Sequence, residues 1–209
     1  MFITLEGPEG SGKSTQILRL AASLREAGYS VVATREPGGT PIGDQIRNVL
    51  HDTANTAMSP MAEVLLYSAS RAQLVEEIIR PALESGYVVI CDRYADSTIA
   101  YQGYGRGLDR TMLADITAYA TGGLVPDLTV FLDLDVTEGI SRRRNEGEEM
   151  NRLDLEEIAF HERVRAGYHH LAAAGPSRWV KVDAGRPVSS IAVDIREIVF
   201  ERLSGPGKQ

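Results

Sequence analysis

Short apolar runs recur along the chain at 2–5, 30–34, 87–91, 128–134 and 179–183, each rich in β-branched or aromatic residues and too brief for a helix. Longer stretches with apolar residues at helical spacing lie between them; Ser14 to Ala27, for example, has leucines at 18, 20 and 24 with charges in between. Strands alternating with about eight helices predict an α/β three-layer fold, a five-stranded parallel sheet covered by helices on both faces. Helix starts are marked by Ser59-Pro60, opening a segment that runs to Gly86, by Asp109 before 110–121, by Thr137 before Glu138, and by Pro187-Val188-Ser189 before 190–203. Another helix is expected from Leu155, and Pro81 should kink or end the helix it falls in. With no repeat or low-complexity linker, the pattern predicts one domain over 1–203 and a disordered tail over 204–209.

One stretch breaks the alternation. Arg142-Arg143-Arg144-Asn145-Glu146-Gly147-Glu148-Glu149-Met150-Asn151-Arg152 is charge-dense and cannot bury itself. It reads either as a solvated loop of mixed charge or as a lid over about 142–153 that brings arginines to a reacting group and excludes water.

Composition narrows the classes. A chain of 209 residues buries roughly 70% of the surface its unfolded form exposes, so it needs no staple. Its single cysteine, Cys91, lies in an apolar run and excludes an internal disulfide framework. No apolar run approaches the length of a membrane span and no basic leader precedes the first strand, so a cytoplasmic protein with no membrane partner is expected. The formal charge of −7 argues against nucleic acid and for a small anionic ligand held by local basic groups.

The chemistry is carried first by Gly7-Pro8-Glu9-Gly10-Ser11-Gly12-Lys13-Ser14, a G-x-x-x-x-G-K-S phosphate-binding loop set between a strand and a helix. In such a loop, backbone N–H groups and the helix N-terminus face phosphate oxygens, Lys13 reaches the β- and γ-phosphates and the Ser14 hydroxyl ligates Mg²⁺. A side chain at Gly7, Gly10 or Gly12 is expected to block that approach. At the end of the third strand, Asp92 and Arg93 leave together at the sheet edge where ligands bind; Asp92 suits a water on the Mg²⁺ and Arg93 a second phosphate. Thr34 to Gly43 crosses the same edge with two prolines and three glycines. Tyr67 and Arg71 are i,i+4 on the long third helix and project from one face, as core or as a stacking platform for a base.

These pieces, in this order, closely resemble the thymidylate kinases, and the resemblance covers essentially the whole chain. It rests on Glu6 to Gln16, Arg35-Glu36-Pro37-Gly38-Gly39-Thr40, Asp92-Arg93-Tyr94 with Ser97-Thr98 and Ala100-Tyr101-Gln102-Gly103, and Asn151-Arg152-Leu153-Asp154. It implies a P-loop nucleoside-monophosphate-kinase-like fold, a homodimer built on the helices around 42–50 and 60–80, and phosphorylation of dTMP to dTDP by Mg·ATP. Glu9 then binds the sugar 3′-OH, Arg93 the 5′-phosphate, Tyr67 stacks on thymine, Arg71 donates to O4, Thr98 faces the base edge and Tyr101 crowds the 2′ position. Glu36, Pro37, Ser97 and Gln102 complete the acceptor pocket. The ATP site takes Gly7 to Thr15, the loop Asp183 to Pro187 with Gly185 and Arg186 at the adenine, and Arg142 flanking that base. Gly10 marks the branch that supplies arginines from the lid, so Lys13, Arg93, Arg144 and Arg152 are the expected catalytic groups and Arg143 a bystander.

An acceptor phosphate, mostly dianionic at pH 7, needs no general base. A deoxynucleoside kinase acting on thymidine would need one, and Glu36 is the obvious carboxylate, although an Arg93 beside it would favour a phosphate. A GTPase switch is disfavoured because the chain has no Asn-Lys-x-Asp motif.

Overall fold

A computed structural model describes residues 1–145 and 150–205. Of the lid expectation, residues 146–149 lie outside the described residues, as do 206–209 of the expected tail.

Five strands, β1 (Phe2–Glu6), β2 (Val31–Arg35), β3 (Val88–Asp92), β4 (Leu128–Asp133) and β5 (Trp179–Asp183), pair in parallel in the order β2-β3-β1-β4-β5. The strand expectations thus hold to within a residue or two. Alternation along the central strands divides the core. Ile3, Leu5, Val88, Ile90, Val130 and Leu132 face one side and pack on Ile17, Leu20 and Leu24 of α1 (Lys13–Glu26) and on Ile191, Ile195 and Val199 of α9 (Val188–Ser204). Phe2, Val89 and Cys91 face the other side and meet α3 (Pro60–Leu74), while Phe131 meets α8 (Ile158–Ala174). Each large apolar side chain buried this way contributes about 1.5–3 kcal/mol. Thr4 and Thr129, buried side by side between the strands, satisfy each other through a 2.9 Å hydroxyl bond.

The remaining helices are α2 (Pro41–His51), α4 (Arg80–Glu84), α5 (Ala95–Thr98), α6 (Arg110–Thr121) and α7 (Val136–Asn145). Nine α-helical segments among the described residues exceed the eight or so expected because a wide π turn splits one of them, while a second π turn extends another. The first, Val75–Ile79, joins α3 to α4. Pro81 supplies no N–H, so the chain widens ahead of it, and α4 runs on past it to Glu84 rather than ending there. The second, Ile99–Gly105, follows α5 directly.

Helix ends follow side-chain chemistry. Ser59 and Asp109 cap α3 and α6 as expected, accepting from Ala62 N (3.3 Å) and Met112 N (2.8 Å). α7 starts earlier than Thr137 because the Asp135 carboxylate accepts from Thr137 N (2.9 Å) and Glu138 N (3.3 Å). α8 starts at Ile158 rather than Leu155. Asn151 Oδ1 accepts from the backbone of Leu153 and Asp154 while Asp154 accepts from Asn151 N, so side chains close a turn that competes with helix. Ser204 belongs to α9 and donates to Phe200 O at 2.8 Å, so the helix reaches into the stretch expected to be disordered.

Candidate active site

β1 and β3 are neighbours in register, Leu5 opposite Asp92, so the segments leaving them meet over the carboxyl edge of the sheet. Arg93 N donates to Leu5 O (3.0 Å) and the Arg93 side chain donates to Gly7 O (2.9 Å), stitching the phosphate loop to the end of β3. A cavity of about 610 Å³ opens there, lined by the phosphate loop, the crossing after β2, the inner face of α3, the π turn carrying Tyr101, and part of α7.

In the phosphate loop, a Cβ at Gly7 would lie 2.4 Å from Leu132 O and one at Gly10 2.1 Å from the Gly139 carbonyl of α7. The Gly10 position therefore has no room for an arginine. A Cβ at Gly12 would meet no atom of the protein; what the chain itself requires there is the positive φ of 83° at the N-cap of α1. Lys13 folds back over the loop and donates to Gly7 O (3.3 Å), Pro8 O (2.9 Å) and Ser11 Oγ (3.2 Å). The Ser14 hydroxyl donates to Asp92 Oδ2 at 2.7 Å, which sets two hard oxygen donors side by side. Among the described residues no three His, Cys, Asp or Glu side chains gather as a metal cluster. So sparse a set fits Mg²⁺, which keeps waters and takes substrate phosphate oxygens to complete its octahedron.

Arg93 is the one non-glycine with positive φ among the described residues, at 66°. That αL backbone is costly for an arginine and is held by its contacts. Its Nη2 pairs with Glu9 Oε1 at 2.8 Å, its Nη1 reaches Tyr168 Oη at 3.0 Å, and its guanidinium lies 4.9 Å from the Tyr101 ring centroid. Tyr101 Oη donates to the same Glu9 oxygen at 2.9 Å. Burial works to raise the Glu9 carboxyl, but Arg93, Lys13 and the Tyr101 hydroxyl outweigh it and hold the group well below the usual carboxylate range. Glu9, Arg93 and Tyr101 thus form one unit linking the phosphate loop to the end of β3 and to the π turn.

Arg71, only 1% exposed, donates Nε to Glu36 Oε2 (2.8 Å), Nη1 to Thr98 Oγ1 (3.0 Å) and Nη2 to Tyr94 O (3.2 Å). Glu36 is therefore the partner of Arg71, and Arg93 belongs to Glu9; the expected adjacency of Glu36 and Arg93 is corrected. Glu36 Oε1 is buried with no partner and lines the cavity. Burial raises the Glu36 carboxyl, and Arg71 works against it. Tyr67, Pro37, Ser97, Thr98 and Gln102 line the same cavity.

The arginines of the charged stretch fall differently from expectation. Arg143 lines the cavity and donates Nη2 to Asp154 Oδ2 at 3.3 Å. Arg144 lies exposed on the outer side of α7 beside Thr137, Ser141 and Ile158. Arg152 pairs with the buried Glu63 of α3 and donates Nε to Leu50 O at 3.2 Å. Glu63 also accepts from Gln102 (2.7 Å) and Arg106 (2.7 and 2.9 Å), so Arg152 ends in a polar cluster around the buried Glu63. Arg142 Nη1 donates to Ala184 O at 3.0 Å, joining α7 to the 183–187 loop. Gly185 N is held by Asp183 (2.9 Å), and Arg186 turns to Asp194 of α9, away from the cavity.

Arg47 and His51 of α2 also line the cavity, and sequence reasoning missed them. Arg47 donates to Pro37 O at 2.9 Å. Burial and the neighbouring Arg47 push the His51 imidazole down to about 4, so it is neutral at pH 7. Their i,i+4 spacing puts both on one face, the signal that was there to be read.

The model of the thymidylate kinase family matches residues 5–195. The chain is 53% identical to the thymidylate kinase of Roseiflexus sp. (strain RS-1), covering 98% of this chain and 95% of that one. It is 54% identical to that of Deinococcus radiodurans, covering 97% of each. Among solved structures, it is similar to the crystal structure of thymidylate kinase from Ehrlichia chaffeensis, with a TM-score of 0.77 and 34% identity over 95% of this chain and 98% of that one.

Proposed function

The chain belongs to the thymidylate kinase family, and from that membership we propose that it transfers the γ-phosphoryl group of ATP to dTMP, giving dTDP and ADP on the route to dTTP. The observation that carries the reading is the Glu9–Arg93–Tyr101 unit, which puts a carboxylate of the phosphate loop and an arginine with one undercommitted edge in the same cavity. A donor site and an acceptor phosphate site there share a wall.

In this reading the phosphate loop amides and Lys13 hold the β- and γ-phosphates. Ser14 and Asp92 would hold Mg²⁺, which when bound would supply neutralisation of the developing phosphate charge. Arg93 holds the acceptor phosphate, already a dianion, in line for attack, so positioning and electrostatics supply most of the rate. Glu9 takes the sugar hydroxyl, and Arg71, fixed by Glu36, presents its remaining N–H to the base. Thymidine as acceptor is disfavoured because the carboxylates lining the cavity are each engaged elsewhere, Glu36 with Arg71, Glu9 with Arg93 and Tyr101, and Asp92 with Ser14. The test is ADP release with dTMP, thymidine and other monophosphates in turn; turnover with thymidine and not dTMP would sink the proposal.

Two variants test the acceptor pocket. Arg71→Ala should raise KM for dTMP by the equivalent of about 1–3 kcal/mol. It should also destabilise the fold by about 3–5 kcal/mol, because it strands Glu36 without its cation; thermal melts read the second effect. Tyr101→Ala should narrow the preference for deoxy- over ribonucleotides and loosen Glu9 and Arg93 together, so competition between dTMP and its ribo counterpart is the measurement. An unaltered preference would place 2′ discrimination elsewhere.

The proposed homodimer is supported by Ile42 and Val49 on α2 and Met61 and Leu65 on α3, apolar side chains left exposed on adjacent helices. The proposed setting is the cytoplasm; among the described residues no helix is long and apolar enough to cross a membrane.

A further inference from the structure

Glu6 ends β1 immediately before the phosphate loop and is 0% exposed. A carboxylate buried there needs donors on both oxygens. Tyr94 N donates to Oε1 at 2.8 Å, while Oε2 accepts from Ser97 Oγ at 2.7 Å and from Tyr168 Oη at 3.0 Å. All three partners are neutral. The two hydroxyls lie 2.8 Å apart, and both also face Arg93 Nη1, at 3.4 Å for Ser97 and 3.0 Å for Tyr168.

We propose that Glu6 is a positioning residue for phosphoryl transfer: by drawing the Ser97 and Tyr168 hydroxyl protons toward itself, it turns their lone pairs to Arg93 and so fixes the guanidinium that receives the acceptor phosphate. The proposal rests on the reading of Arg93 as the phosphate ligand. Each hydroxyl has one proton, and a carboxylate is the strongest acceptor within its reach. With those protons spent on Glu6, each oxygen accepts from Nη1 and the chain of bonds polarises along its length. Nη1 is then fully engaged by Gly7 O and the two hydroxyls, and Nη2 gives one hydrogen to Glu9. The Nε edge is left as the fork that suits a phosphate bidentately. The relay also explains how an arginine holds its αL backbone at φ 66° with its side chain directed across the sheet edge. Burial first, then the neighbouring Asp96, raises the Glu6 carboxyl to about 7, while Arg93 and the two hydroxyl bonds work to lower it.

Glu6→Gln keeps the volume but turns an NH₂ toward the hydroxyls, which competes with Arg93 for their lone pairs. Tyr168→Phe removes one link and keeps the ring stacked on Phe131, at 5.5 Å between centroids, so it serves if Glu6→Gln does not fold. Calorimetric binding of dTMP and of thymidine separates the phosphate contribution from the rest. Both variants should weaken dTMP by about tenfold or more, the scale of one hydrogen bond to a charged group, with thymidine affinity and KM for ATP held within about twofold. Arg93→Ala is the reference and should remove most of the preference for dTMP over thymidine. If Arg93→Ala removes that preference while Glu6→Gln and Tyr168→Phe preserve it, Glu6 only supports the fold and the inference is overturned, with the phosphate reading intact. If Arg93→Ala itself preserves it, the phosphate reading fails and this inference with it.

Discussion

Lys13→Ala is expected to lower kcat by at least about 10²–10³-fold, the cost of losing one preorganised charge at the developing transition state. The fold should survive, because Lys13 contributes no core packing and its bonds are to carbonyls and one hydroxyl of its own loop. Burial first and Arg93 second push the Lys13 ammonium down to about 8, against Glu9, Asp92 and Glu6, which raise it. The charged form is therefore lost as pH rises through about 8 in the free enzyme, and kcat/KM for ATP should fall above that pH. Lys13→Arg should move that limb upward, since a guanidinium stays charged. Stability runs the other way. Between about 8 and the ordinary 10.5 the unfolded chain binds the proton that folded Lys13 has released, so this site's contribution to stability rises with pH across that window. Initial rates and thermal melts over the same pH range separate the two trends, and a folded Lys13→Ala enzyme with near-normal turnover would refute the role of the loop.

What was legible in the chain is what local backbone geometry demands. The loop from Gly7 to Ser14 and the Asp92-Arg93 step each place their chemistry within a few residues of a strand end, so strand positions alone brought them to one edge. Side chains whose role depends on partners far along the chain were harder. The pairing of Glu36 with Arg71 spans 35 residues, and the junction of Glu63 with Arg152 spans 89. Glu63 reads in sequence as an ordinary first-turn acid of a capped helix, and only packing reveals it as a buried acceptor for three side chains. The i,i+4 spacing of Arg47 and His51 marks one face of α2, but nothing local says that the crossing from Thr34 to Gly43 packs against that face. In Arg142-Arg143-Arg144 the residue type repeats and the helical phase decides the role. Neighbouring positions on a helix point about 100° apart. The phase is fixed at the other end of α7, where the Asp135 cap and the contact of Gly139 with the phosphate loop orient the helix.

That phase carries the second large effect: Arg143→Ala should lower kcat by at least about a hundredfold. Gly10 has no room for a side chain, so any positive charge over the transferring group beyond that of Lys13 has to come from outside the loop. Of the three consecutive arginines, Arg143 faces the cavity and acts electrostatically on Glu9 and His51 within it. Arg142 is committed to Ala184 O and Glu138, and Arg144 looks outward. Arg144→Ala should accordingly stay within about threefold of wild type. Arg152 acts through another residue. Its pairing with Glu63 ties the Asn151–Asp154 turn to α3, one helical turn ahead of Tyr67, so Arg152→Ala should disturb KM for dTMP along with kcat. In a double-mutant cycle with Glu63→Gln the two losses should then be far from additive. Additive losses would leave Arg152 acting on the phosphoryl group directly. A silent Arg143→Ala beside a crippling Arg144→Ala would require α7 to turn by about one residue on the working enzyme, which the close contact of Gly139 with the phosphate loop opposes.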